Sequence, residues 1–151
     1  MKFTFKFKRE KIDETHWTLR AKIPTTLSYG GLNKDFIAVL DTGSDVVYIP
    51  QDIAEYFGLE LSKKVDVCQG AETEFRFKTA KIYIEIRKGH SQFKELFDVI
   101  VPVENPLHKD IILGTPFLSN FVVTFDYARN KIILKSALPR FDIKKLRYKR
   151  R

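Results

Sequence analysis

A single cysteine, Cys68, is all the chain has, so no disulfide forms within it and a small fold stapled by disulfide bonds is excluded. That usage suits a reducing compartment. Glycine and proline are sparse, seven and six in 151 residues, and no internal linker or low-complexity segment stands out. No apolar run approaches the roughly 18 residues of a membrane-spanning helix. Residues 1–8 alternate Lys or Thr with Phe and so lack the continuous apolar stretch of a signal peptide. The expectation is a cytoplasmic chain that does not enter a membrane. The three histidines, His16, His90 and His108, lie far apart, with no ligand spacing among themselves or with Cys68. No metal site is expected. No serine or cysteine triad can be built around them, and no glycine loop that would cradle a phosphate is present. No cofactor is expected.

What is present is a core and a lopsided charge. Hydrophobic residues make up 44% and charged residues 30%, the balance of a soluble globular domain that buries a core without crosslinks. The net charge of +8 is concentrated at one end. Residues 139–151 carry seven cations against Asp142 alone, a net +6, which leaves +2 for the rest. This divides the chain into one domain, 1–138, and a basic C-terminal tail, 139–151. Such a tail can attract nucleic acid or another anionic surface, or be a solvated terminus. The solvated terminus is the reading adopted.

Alternation with a period of two dominates. Phe3, Phe5 and Phe7 share one face, Trp17, Leu19, Ala21 and Ile23 another, and Ala80, Ile82, Ile84 and Ile86 a third. Each pattern predicts a strand with one buried face. Residues 36–40 are apolar throughout and predict a strand buried on both faces. Residues 97–103 and 111–113 predict further strands, and 121–125 with 131–134 a hairpin. Residues 24–33, which open with a proline and carry Gly30 and Gly31, predict a loop. Helix signals are few: 51–57 between Pro50 and Gly58, and one turn at 116–120 beginning with Pro116. The fold class is therefore all-β, a closed barrel or sandwich of short strands with one or two short helices.

The apolar strand runs straight into Asp41-Thr42-Gly43-Ser44. An ionisable residue in that position is expected to be poorly solvated. Gly43 permits a tight turn and a close approach, and the hydroxyls of Thr42 and Ser44 can hold the carboxylate and the loop. By itself the tripeptide fits an ordinary turn as well. About seventy residues later come Ile111-Ile112-Leu113-Gly114, then Pro116-Phe117-Leu118 and Val122-Val123-Thr124-Phe125-Asp126.

This pairing, Val39-Leu40-Asp41-Thr42-Gly43-Ser44 followed by Ile112-Leu113-Gly114, resembles the aspartic peptidases, and in particular the single-domain, retropepsin-like kind. The resemblance extends over residues 36–134, through Val46-Val47-Tyr48-Ile49-Pro50 and the closing hairpin. It implies a retropepsin-like acid-protease fold and an aspartic endopeptidase acting on extended polypeptide. Two aspartates would share one proton and activate a water between them. With one Asp-Thr-Gly in the chain, the resemblance implies a symmetric homodimer with Asp41 as each subunit's catalytic half. Thr42, Gly43 and Ser44 would support it. A flap at residues 65–72 would cover the substrate, with Gln69, Gly70 and Ala71 near its tip. Two positions depart from the retroviral pattern. Thr115 stands where an arginine commonly follows the second glycine, so Asp45 either binds substrate backbone or is a solvated loop charge. Ser44 stands in place of the usual alanine, and a hydroxyl donated to the carboxylate would move activity to lower pH than in Ser44→Ala.

Two other functions are consistent with the residues. One is a dimeric peptide-binding or regulatory module of the same fold that has lost catalysis. The other is a basic nucleic-acid-binding β-barrel that uses its tail, although no aromatic-basic face supports it. Cys68 reads as a small buried hydrophobe, or as an oxidisable thiol if the flap is exposed.

Overall fold

The computed structural model describes residues 1–69, 74–104 and 108–136. The chain begins with β1 (Lys2–Phe5), β2 (Lys8–Lys11), β3 (Trp17–Arg20), β4 (Lys22–Tyr29), β5 (Leu32–Leu40) and β6 (Val47–Tyr48). Helix α1 (Gln51–Phe57) follows, then β7 (Asp66–Gln69), β8 (Glu74–Lys88), β9 (Ser91–Pro102) and β10 (Ile111–Leu113). Helix α2 (Thr115–Leu118), β11 (Phe121–Asp126) and β12 (Lys131–Ser136) complete it.

Six strands close on themselves in the order β4-β5-β10-β6-β9-β8, with β8 returning to β4 through Thr26↔Glu85 and Leu27↔Ile84. This is the closed barrel the alternation predicts, and closure removes exposed edges. The interior alternation is followed residue by residue: Ala80, Ile82, Ile84 and Ile86 are all buried on β8. Phe3, Phe93, Phe97, Phe117 and Phe121 pack as a chain of tilted and edge-on rings. These five phenylalanines thus pack as part of the core. A second sheet, β1-β12-β11, brings the first and last described strands together.

Residues 24–33 correct an expectation. They form a β-hairpin, β4 pairing with β5 from Lys22↔Val39 to Tyr29↔Leu32. Gly30 and Gly31 have φ of 57° and 83°, which suits a two-residue hairpin turn whose twist matches its strands. Pro24 is tolerated because β8 joins β4 only from Thr26 onward, so its missing N–H interrupts no second ladder. Strand 36–40 is a second correction. Ala38 and Leu40 are buried, but Ile37 is 46% exposed. A smaller apolar cluster of Tyr48, Ile100 and Ile112, joined by Val39, Phe75 and Phe77, covers the outer face only near the strand's end. Strand β2 has no counterpart in the sequence reading, because Lys-Arg-Glu-Lys carries no apolar face, and residues 17–23, expected as one strand with a buried face, divide between β3 and the start of β4, with Ile23 buried and Trp17 exposed.

The β2–β3 ribbon is docked by charge. Lys22 Nζ lies 2.6 Å from Glu10 and 3.5 Å from Asp110, tying β2 to β4 and to the approach of β10. The Lys22 hydrogen bond holds the Glu10 carboxyl below its ordinary value of 4.5, and the Glu10 bond raises Lys22 above 10.5. A lowered carboxyl stabilises the fold above its unfolded value and loses that contribution as pH falls through the folded one. A raised lysine contributes below 10.5 and loses it as pH rises further. Both contributions are therefore present at neutral pH. Glu10→Gln is expected to lower Tm at pH 7 by an amount equivalent to roughly 1 kcal/mol or less, since the pair is partly solvated. The difference from wild type should shrink steadily as pH falls below 4.5 in a thermal melt series. A gap that did not shrink at all on acidification would exclude the ion pair as its source.

Candidate active site

The 41–46 loop is held by four interlocked backbone bonds. Strand β10 lies between β5, to which it runs parallel (Leu113↔Leu40), and β6, to which it runs antiparallel (Leu113↔Val47). Chain departing from β5 and chain returning as β6 thus lie on either side of one short strand, and the loop between them crosses its end. Asp41 N–H donates to Leu113 O at 3.1 Å, Gly114 N–H to Val46 O at 3.1 Å, Thr115 N–H to Ser44 O at 2.8 Å, and Ser44 N–H to Asp41 O at 3.2 Å. Leu40 N–H donates to Ala21 O at 2.8 Å, which anchors the strand just before the loop. Seventy residues of sequence separation are closed here by hydrogen bonds, the kind of over-determined geometry that a positioned carboxylate needs.

Gly114 is what permits the closeness. A Cβ on it would overlap the carbonyl oxygens of Val46 and Ser44 and lie 2.9 Å from Ser44 Oγ. Its backbone is extended, with φ of −84° and ψ of −163°, so the requirement is space rather than an unusual dihedral angle. Gly114 was visible in the sequence as part of a motif. Its role as the contact point of the two halves became evident only from the fold.

Asp41 is exposed, contrary to the expectation of poor solvation. Leu40 beside it is buried, but the carboxylate projects past the end of the strand. Its Oδ1 accepts the Gly43 N–H at 2.8 Å, which orients the group. Thr42 is also exposed, and its hydroxyl makes no hydrogen bond among the described residues. Ser44 corrects a second expectation. Its Oγ donates to Val46 O at 3.0 Å and accepts Val46 N–H at 3.4 Å, so it braces the loop and does not donate to Asp41. The physical basis for a Ser44-dependent pH shift is therefore absent. Asp45 is exposed and makes no ion pair among the described residues, which leaves both readings of it open.

The expected flap region is a hairpin. Strand β7 pairs with β8 from Asp66↔Phe77 to Gln69↔Glu74, and Gln69 Nε2 donates to Glu74 Oε1 at 3.1 Å. Gly70 and Ala71 lie outside the described residues. Cys68 is half-buried on β7 with a free thiol. At the base of the hairpin Phe75 and Phe77 pack on the cluster that includes Val39 and Ile112, so hairpin and Asp41 strand share one apolar support. Among the described residues no group of acidic, histidine or cysteine side chains could hold a metal ion, and no helix is long and apolar enough to cross a membrane.

Neither a family model nor a curated protein matches the chain by sequence. Solved structures do match. A retropepsin-like aspartic protease from Rickettsia conorii superposes with a TM-score of 0.53 at 16% identity, over 91% of this chain and 95% of that one. EIAV protease, in its complex with an inhibitor, gives a TM-score of 0.46 at 16% identity, over 66% of this chain and 85% of that one. The Rickettsia likeness, across nearly the whole of both chains, shows that this chain has the retropepsin-like fold.

Proposed function

We propose that the chain is an aspartic endopeptidase that works as a two-fold dimer, with Asp41 of each subunit facing the other across the axis. The observation that carries this reading is the exposed Asp41 carboxylate on a loop fixed by the Leu113, Gly114 and Thr115 backbone bonds. A single carboxylate cannot do this chemistry, because one group must take a proton while another gives one. Two aspartates brought close enough to share a proton supply both states. The ionised one takes a proton from the water between them as its oxygen attacks the scissile carbonyl carbon. The protonated one donates to the carbonyl oxygen. The resulting tetrahedral species then collapses, with a proton delivered to the departing amine.

The remaining residues take supporting roles. Gly43 orients Asp41, Ser44 braces the loop, and Thr42 is left to bond across the dimer axis. The β7–β8 hairpin serves as the flap, with Gln69, Gly70 and Ala71 over the substrate, which lies beneath as an added strand. The domain ends near residue 138 and the basic tail is outside the catalytic unit.

The test is cleavage of an unstructured protein such as casein between about pH 3 and 7, the range in which a shared-proton pair operates, by wild type and Asp41→Ala in parallel. Pepstatin, which mimics the transition state of this class, forms a further arm. Pepstatin-sensitive cleavage by wild type alone is expected. Peptide binding and dimerisation without cleavage would replace this reading with the non-catalytic module.

A further inference from the structure

A cavity of about 580 Å3, lined by no residue of the Asp41 loop, lies between the end of β1, the Pro24 part of β4, the end of β8 and the β11–β12 turn. Lys6, Lys88, Arg129 and Lys131 line it, together with Phe5 and Asn130, and no acidic side chain does. Arg129 is paired with Asp126 at 3.0 Å, outside that lining. Lys6, Lys88 and Lys131 are exposed and form no direct ion pair among the described residues, although Lys131, opposite Asp126 on the hairpin, feels that carboxylate's charge. Outside the tail the sequence carries a net charge of only +2, so this cavity gathers far more positive charge than the domain's average. Ordinary surfaces intersperse the two signs.

The walls are fixed. The β1 and β12 strands pair from Lys2↔Lys135 to Phe5↔Ile132. Asn130, at φ of 52°, accepts the Phe7 N–H on its Oδ1 at 2.9 Å, which fastens the turn to the chain leaving β1. The remaining polar group of that side chain is a donor. Phe5 is buried, and Lys88 Nζ sits 5.5 Å from its ring centroid. The volume is that of a small-molecule site rather than of a single ion.

We propose that this cavity binds a small soluble polyphosphate. Lysine ammonium groups act as point charges for phosphate, and Lys6, Lys88 and Lys131 lining one cavity with Arg129 match a ligand bearing several negative charges. A lone carboxylate would leave most of that charge unmatched. Single-stranded nucleic acid fits less well, because the aromatic ring present is buried and offers no stacking platform.

The experiment is calorimetric titration of the full chain with inorganic triphosphate at about 0.15 M salt, where exposed charges are largely screened. Wild type is compared with Lys88→Gln/Lys131→Gln and with a full-length tail variant in which Lys144, Lys145, Arg147, Lys149, Arg150 and Arg151 are all glutamine. Saturable binding with a Kd below about 1 mM is expected. It should weaken at least about tenfold in the cavity variant, with the two lost phosphate contacts, and stay within about twofold in the tail variant. Triphosphate should also raise the Tm of wild type and the tail variant but not of the cavity variant. Unliganded melts of the three proteins verify that folding is unchanged. Equal affinity in the cavity variant, binding lost only with the tail cations, or no binding up to about 10 mM triphosphate would overturn the proposal. So would tighter, cavity-dependent binding of a single-stranded oligonucleotide than of triphosphate.

Discussion

Asp41→Asn is expected to reduce peptide cleavage on the order of 10³-fold or more, the range for losing a positioned acid–base group, with Tm nearly unchanged. Stability is spared because the side chain is exposed and its one internal hydrogen bond, from Gly43 N–H, can be accepted equally by the amide oxygen. The sharper outcome comes from mixing. If each site is built from two copies of Asp41, co-refolding equal amounts of wild-type and Asp41→Asn chains leaves both aspartates in about a quarter of the dimers by random pairing. Activity per total chain should then fall to about a quarter, and follow the square of the wild-type fraction as the ratio is varied. Activity proportional to that fraction itself would mean that each protomer acts alone, and the shared-proton mechanism would fail.

Gly114→Ala is expected to be the most damaging single methyl group in the domain. The added carbon meets the Val46 and Ser44 carbonyl oxygens and Ser44 Oγ. Two of these three contacts are backbone, and both backbone oxygens already accept the bonds that lock the loop. Nothing nearby can give way without breaking Gly114 N–H to Val46 or Thr115 N–H to Ser44. Overpacking of this kind costs roughly 3 kcal/mol, which for a chain of this size lowers Tm by roughly 6–12 °C. Gly89→Ala is the control. Its φ of +58° is strained for alanine, but a Cβ there meets nothing within 4 Å, so the backbone cost of about 1–2 kcal/mol stands alone. Thermal melts in which the two variants are equally affected would show that steric closure at Gly114 is not the determinant. Cleavage should be lost in Gly114→Ala and retained in Gly89→Ala below its melting range.

Much of this architecture can be read from the residues, and the exceptions share a cause. Alternation locates β1 and the inner face of β8 because burial is one-sided there, while apolar runs locate the second half of β9 and the β11–β12 hairpin. The short helix Gln51–Phe57 ends at Gly58 in the left-handed conformation as its punctuation predicts. Period-two reasoning misses β2, which is held by its pairing with β3 and by the Glu10–Lys22 bond. It misreads the β4–β5 hairpin because a mostly polar stretch that opens with Pro24 and carries Gly30-Gly31 has the composition of a loop, whereas two positive φ angles in succession reverse a hairpin. At the candidate site the motif locates Asp41 and Gly114 but not the traffic between them. Ser44 faces Val46, and Asp41 stands in solvent. Those are consequences of how β5, β10 and β6 lie side by side, which one-dimensional spacing does not encode.

The parallel pairing of β5 with β10 also orders events in time. Every bond that positions the Asp41 loop against Leu113, Gly114 and Thr115 joins segments about seventy residues apart. Contacts of such separation form late, after the loop-closure entropy has been met by the strands between. Local pieces such as the β8–β9 hairpin can form early, but the carboxylate is not held in place until the chain has closed around it. During synthesis the Asp41 loop emerges well before the strand that fixes it. A chain still on the ribosome, short of α2, therefore carries Asp41 without its positioning bonds. On the proposed function, a nascent chain would be unable to cleave its neighbours until its own folding is nearly complete.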